Sequence, residues 1–209
     1  NISGTWEQLG GDIDGEAAGD YSGKSVSLSA DGTTVAIGAP TNDGGGWNSG
    51  HTRIYQNISG TWEQLGEDID GEAGGDELGT SVSLSSDGSI IAIGARYANS
   101  GNGDDSGHAR IYQYSAGSWN QLGEDIDGEA AYDYAGSSVN LSSDGSIVAI
   151  GASHHDGNGV DSGQTRIYQY SSGSWNQLGE DIDGEAGGDR SGKEAHSVSL
   201  SSDGSIVAI

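Results

Sequence analysis

The chain has 209 residues, 39 of them glycine, with one proline and no cysteine, methionine or phenylalanine, a bias that marks internal repetition. Thirty-two acidic residues against seven basic ones give a formal charge of −25, which repels phosphate backbones and anionic membrane surfaces, so nucleic acid is not expected as a partner. The lack of cysteine excludes a disulfide framework and a thiolate metal site, and no apolar run approaches the roughly 18 residues needed to span a bilayer, so membrane insertion is not expected either.

Trp6 opens the phrase WEQLGGDIDGEA, and Trp62, Trp119 and Trp175 reopen it with small changes, at spacings of 56, 57 and 56 residues. A period of that length belongs to stacked arrays and propeller blades. The opening NISGTW recurs at 57–62, so it is not read as a leader peptide, and the chain is expected to be part of a longer protein that it enters midway through a repeat. In chain order, one unit then offers a run at 25–29 (SVSLS), a second at 35–39 (VAIGA), a third at 53–56 (RIYQ) and a fourth at 62–65 (WEQL), each bounded by Gly, Asp, Asn and Ser clusters. These predict four strands. Asp31-Gly32, repeated as Asp87-Gly88, Asp144-Gly145 and Asp203-Gly204, is the dipeptide that accepts the positive φ of a tight hairpin between strands one and two, and NISG, YSAG or YSSG turns strand three into strand four. No helical periodicity appears, and a four-strand unit cannot bury its faces alone, so the units must pack on one another. The expected fold is all-β: a β-propeller of four-stranded antiparallel blades with a repeat of about 56 residues. Strand order gives three complete blades plus a partial one, flanked by a lone fourth strand at 6–9 and by a first and second strand at the other end. These leftovers could meet in a closed ring or belong to a longer array.

The stretch YSGKSVSLSADGTTVAIGAP with the following SGHTRIYQ resembles an FG-GAP repeat, Tyr21-Ser22-Gly23 standing at the "FG" position and Gly38-Ala39-Pro40 at "GAP". Later copies depart from it, with ELG, YAG and RSG at the first position and GAR and GAS at the second. The resemblance covers nearly the whole chain. It implies integrin-α-like propellers, typically seven-bladed, secreted or on cell surfaces, that serve adhesion or ligand binding. Blades of that family often carry a calcium loop between strands one and two, but here that position has shrunk to SADG or SSDG, so the resemblance carries over no metal site.

Antiparallel order puts the two-to-three and four-to-one connections on one rim. The two-to-three loops (TNDGGGWNSGH, RYANSGNGDDSGH, SHHDGNGVDSGQ) vary while the strands around them do not, which is where recognition usually resides. The four-to-one connections repeat an acidic set: Asp12, Asp14, Glu16 and Asp20; Asp68, Asp70, Glu72 and Asp76; Asp125, Asp127, Glu129 and Asp133; Asp181, Asp183, Glu185 and Asp189. In an extended D-I-D the isoleucine points to one side and both carboxylates to the other, where hard oxygen ligands would suit Ca²⁺; the competing reading is that these acids are solvated or cap loop amides. Asp156, Asn158 and Asp161 form a second oxygen cluster within a variable loop. Trp47 could stack on a sugar or partner, or cover a neighbouring blade. His154 and His155 are read as a solvated loop pair, the other histidines as scattered singles, the repeated tryptophans as structural, and Arg53, Arg110 and Arg166 as partners of acids in the same blade. Asn1 and Asn57 open N-glycosylation sequons.

No catalytic residue is assigned, because an active site needs one asymmetric constellation and here the same acids recur in every unit; a polysaccharide-active enzyme is the minor alternative. The expected role is a secreted or cell-surface interaction module with protein or glycan partners. Self-association through terminal strands, giving a multimer or fibre, is the alternative.

Overall fold

A computed structural model of the chain describes residues 4–193, 195 and 197–209. Three sheets of the same topology follow one another. The first contains β1 (Ser25–Leu28), β2 (Thr34–Ala39), β3 (His51–Ile58), β4 (Thr61–Gln64) and β5 (Ile69–Asp70); the second β6 (Ser81–Leu84), β7 (Ile90–Ala95), β8 (His108–Ser115), β9 (Ser118–Gln121) and β10 (Ile126–Asp127). The third contains β11 (Ala135–Leu141), β12 (Ile147–Ala152), β13 (Gln164–Ser171), β14 (Ser174–Gln177) and β15 (Ile182–Asp183), and a short hairpin of β16 (Ser199–Leu200) and β17 (Val207–Ala208) follows. All pairings between named strands are antiparallel, and no helix occurs among the described residues.

The third strand is longer than its RIYQ signature because it serves two partners. The far half of β3 pairs with β4, while His51 and Thr52 at its near end pair with Asp70 and Ile69 of β5. The outer strand is thus one strand broken at 65–68, and the D-I-D triplet expected in a connection is its second half. The first copy of the fourth strand differs from expectation: residues 6–9 form no strand and Trp6 is 88% exposed. In the three later units this run pairs with the third strand that precedes it in the chain, whereas among the described residues 6–9 pair with no strand.

The core lies between sheets. Ala36 and Ile54 of the first sheet pack with Val82, Ile91 and Ile93 of the second, and Ala92 and Ile111 on the second sheet's other face pack with Val139, Val148 and Ile150 of the third. The central strand IIAIGA is near-continuously apolar because both of its faces are covered. Exposure follows the same logic: Val26 and Leu28 are 50% and 58% exposed, whereas their counterparts Val82 and Leu84 are buried by the sheet before them.

Polar groups lock the stack. Ser25 Oγ donates to Gly79 O and Ser81 Oγ to Gly136 O, both at 2.8 Å, while Ser27 Oγ and Ser83 Oγ accept from Leu84 N and Leu141 N. At the hairpin turns Ala30 N donates to Ser86 O, Ser86 N to Ser143 O and Ser143 N to Ser202 O, each within 2.9 Å. These bonds satisfy backbone groups that an innermost strand would otherwise leave unpaired.

Candidate functional site

The acids of the four-to-one connections separate into three kinds. Ile69 and Ile126 are 6% and 7% exposed, so the D-I-D triplets are anchored by burial of their isoleucines. The aspartate before each isoleucine meets an arginine from the middle of the third strand: Arg53 binds Asp68 through Nε and Nη2 at 3.1 Å, Arg110 binds Asp125 at 2.9 and 2.7 Å, and Arg166 Nε lies 3.6 Å from Asp181. The same arginines also reach back to the preceding connection. Arg53 pairs with Glu16, Arg110 with Glu72 at 2.7 Å, and Arg166 with Glu129 at 2.5 Å. Each guanidinium therefore joins two consecutive units, where the sequence suggested pairing within one blade. Burial works against the charge of Arg110, yet its bonds to Asp125 and Glu72 outweigh that cost and hold it firmly protonated. Burial likewise pushes Asp125 up, but Arg110 brings it below the usual carboxylate range, and Arg53 does the same for Asp68. Asp12, at the equivalent position of the first unit, accepts from Gln8 Nε2 at 2.8 Å, a bond repeated by the Gln64–Asp68, Gln121–Asp125 and Gln177–Asp181 pairs.

The aspartate after the isoleucine has no such neutralisation. Asp70 and Asp127 are pushed above their ordinary value, first by burial and then by the neighbouring Asp68 and Asp125. Asp183 is the half-buried counterpart in the third unit, while Asp14 and Glu185 are exposed.

The last aspartate of each set caps its own loop. Asp20, Asp76, Asp133 and Asp189 accept the backbone N–H of Ala17, Ala73, Ala130 and Ala186 at 2.8–3.2 Å, and Asp20 also accepts Asn42 Nδ2. These are the amide caps of the competing reading.

Histidines that sequence reasoning treated as scattered singles enter this rim. His51 Nδ1 lies 3.8 Å from both Glu16 and Asp68. His108 occupies the same place in the second unit. In the third unit that position is Gln164, and His155 of the adjoining loop comes in instead, 3.3 Å from Glu129 and 3.9 Å from Asp183. The repeated S-G-H-x-R spelling at 49–53 and 106–110 was the available signal. His154, by contrast, bonds Ser153 Oγ at 2.9 Å and stands edge-on to Tyr134.

The two-to-three loops vary in sequence but share one conformation. Gly46, Gly103 and Gly159 take φ of 143°, 136° and 139°; two residues on, Asn48, Asp105 and Asp161 take 51°, 49° and 54°; and a buried serine precedes Gly50, Gly107 and Gly163. Residues at the tip differ most, and Trp47 and Val160 are 75% and 74% exposed. The residues of the expected oxygen cluster each hold a partner within or next to the loop. Asp156 accepts from Asp161 N at 2.9 Å, Asn158 donates to Gly184 O at 3.0 Å, and Asp161 pairs with Arg190 at 2.8 Å. Asn1 lies outside the described residues. Asn57 sits in β3, where its Oδ1 accepts from Gly60 N and its Nδ2, the atom a glycan would be joined to, is buried.

Residues 13–55 match the model of the FG-GAP repeat. No curated protein matches the chain. Among solved structures, the chain resembles Saccharomyces cerevisiae Sqt1 with a TM-score of 0.50 and 14% identity, over 79% of this chain and 37% of that one. It resembles Kuenenia stuttgartiensis hydrazine synthase with a TM-score of 0.53 and 15% identity, over 87% of this chain and 53% of that one. At these identities the likeness is one of fold alone, and the chain spans about half or less of each.

Proposed function

We propose, for a chain that belongs among the FG-GAP repeat proteins, a non-catalytic interaction module of the cell surface or extracellular space, a β-propeller segment whose blades display one loop conformation with changing side chains to protein or glycan partners. The observation that carries this reading is the shared φ signature of the two-to-three loops, which holds Trp47, Asp104 and Val160 at equivalent exposed tips beside an acidic rim. A rigid frame with interchangeable tips is a recognition design, since ordering costs are met before a partner arrives. Calcium dependence belongs to the same proposal: the carboxylates of the D-I-D triplets share a rim on which, among the described residues, arginines meet Asp68, Asp125 and Asp181 and not the aspartates that follow them.

The test is binding of the chain to a panel of immobilised glycans and matrix proteins, with Trp47→Ala beside wild type and with calcium or a chelator present. Binding without turnover that falls with Trp47→Ala supports the module. Turnover of a glycan would replace it with the enzymatic reading, and identical binding in calcium and chelator would remove calcium from it.

A further inference from the structure

We propose that the cleft between the second sheet and the connection before it holds a divalent transition cation on His108, Asp125 and Asp127. A ring nitrogen of His108 and one oxygen from each aspartate lie within 4.8 Å of one another, the separation expected of atoms that share one ion. His108 is 4% exposed, and its Nε2 is buried with no hydrogen-bond partner among the described residues. A buried imidazole nitrogen without a partner costs free energy, and coordination would relieve that cost.

Glu72, Asp76, His108, Arg110, Asp125 and Asp127 all line this cleft of about 290 Å³, which gives an ion a route in. Coordination uses a neutral imidazole nitrogen, the form that burial and then the neighbouring Arg110 favour. Arg110 opposes a cation, but it already binds Glu72 and Asp125, and Asp127 faces the same cleft with no ion pair of its own among the described residues. One imidazole with carboxylates suits zinc or manganese; calcium, which prefers oxygen throughout, is a poorer match.

The first unit holds a related cluster, with Glu16 of the preceding connection in place of the second aspartate. Ligand atoms of Glu16, His51 and Asp68 also lie within 4.8 Å of one another, and His51 is 3% exposed. In the third unit Gln164 stands in the register position of His51 and His108 within the same ladder, with His155 coming in from the adjoining loop. Replacing His108 by Gln is therefore a change the fold already accommodates.

Isothermal titration of the chain with zinc chloride tests the site. Wild type is expected to take up zinc at both clefts, His108→Gln to lose one of the two ions with its far-UV circular dichroism unchanged, and the double variant His51→Gln/His108→Gln to lose both. Loss of a ligand should weaken its site by at least the roughly 10- to 100-fold that outer-shell partners command. The titration is run without calcium, because the calcium proposed for the rim would draw on the same Asp125 and Asp127; loss of zinc with His108→Gln and loss of glycan or protein binding with Trp47→Ala keep the two readings distinguishable. No zinc uptake by wild type, or undiminished uptake by the double variant, overturns the proposal.

Discussion

The indole Nε1 of Trp119 donates to the carbonyl oxygen of Leu65 at 2.8 Å, tying the outer strand of one unit to the outer strand of the unit before it. Trp62 makes the same bond to Leu9 and Trp175 to Leu122. The recurring tryptophan is thus a link between units at the periphery. Trp119→Phe keeps most of the ring but removes the donor, and should cost about 1 kcal/mol, or about 2–4 °C in Tm for a chain of this size. Trp119→Ala also removes packing against Tyr114, whose ring centre is 5.1 Å away, and should lower Tm further. Thermal unfolding followed by tryptophan-independent circular dichroism checks both.

Gly94 of the "GAP" position touches Gly136 of the following unit's "FG" position: a Cβ on Gly94 would run into the Gly136 carbonyl, which Ser81 Oγ also contacts. The family's two short motifs therefore meet each other across the joint between units. Gly94→Ala should force the sheets apart and cost about 1–3 kcal/mol or more. Gly101→Ala, in a loop where an added Cβ meets nothing, should leave Tm within about 1–2 °C of wild type. Equal effects from the two would remove the steric explanation.

Arg110 and Arg96 each contact acid but differ in burial. Arg110 is 4% exposed and holds Asp125 and Glu72, whereas Arg96 is about a third exposed at its side chain and meets Glu77 at 3.0 Å. Arg110→Met leaves two carboxylates facing each other and should cost about 2–3 kcal/mol, below the figure for a fully buried pair because Glu72 is largely exposed. Arg96→Met should cost under about 1 kcal/mol. Urea unfolding of the two variants separates these values.

The turn aspartates set an acid limit. Asp144 Oδ1 accepts from Ser146 N and from the hydroxyls of Ser146 and Ser142, and these bonds hold its carboxyl below the ordinary 3.8. Asp203, in the same turn of the last hairpin, is brought down to about 2 by Ser201 and Ser205. A carboxyl whose folded value is depressed stabilises fully above its unfolded value and loses that contribution as pH falls through the folded one. Wild type should thus exceed Asp144→Ala in stability at pH 6, and the gap should close as pH drops from about 4 toward 2. Asp70 and Asp127, raised by burial, act in the opposite sense and favour folding as they take up protons. Urea midpoints across that pH range give the result.

Much of the local structure was legible because neighbours in sequence decide it. Asp-Gly turns, the SVSL and VAIG runs and the buried isoleucine of D-I-D all follow from turn chemistry and the two-residue strand period. What stayed hidden depends on residues far apart in the chain: Ser27 accepting from Leu84 N, Asn140 Oδ1 accepting from Leu200 N, and Arg110 reaching back to Glu72. Serines in a strand read as solvent-facing by composition, yet here they bond the next sheet. The histidines were missed for the same reason, since nothing local to His51 announces Glu16. Residues 6–9 read as a strand from their spelling, but a strand is defined by its partner, and among the described residues that run pairs with none.

The two joints between the three sheets repeat the same glycine contact, the same serine bonds and the same indole link. Such a chain is copied in whole periods. Unequal crossing-over between near-identical stretches of its coding sequence would add or delete a unit of 56 or 57 residues and leave every surviving joint as it was. Loop tips would travel with their units, so the order in which Trp47, Asp104 and Val160 line the rim could be reshuffled by recombination without any cost in folding.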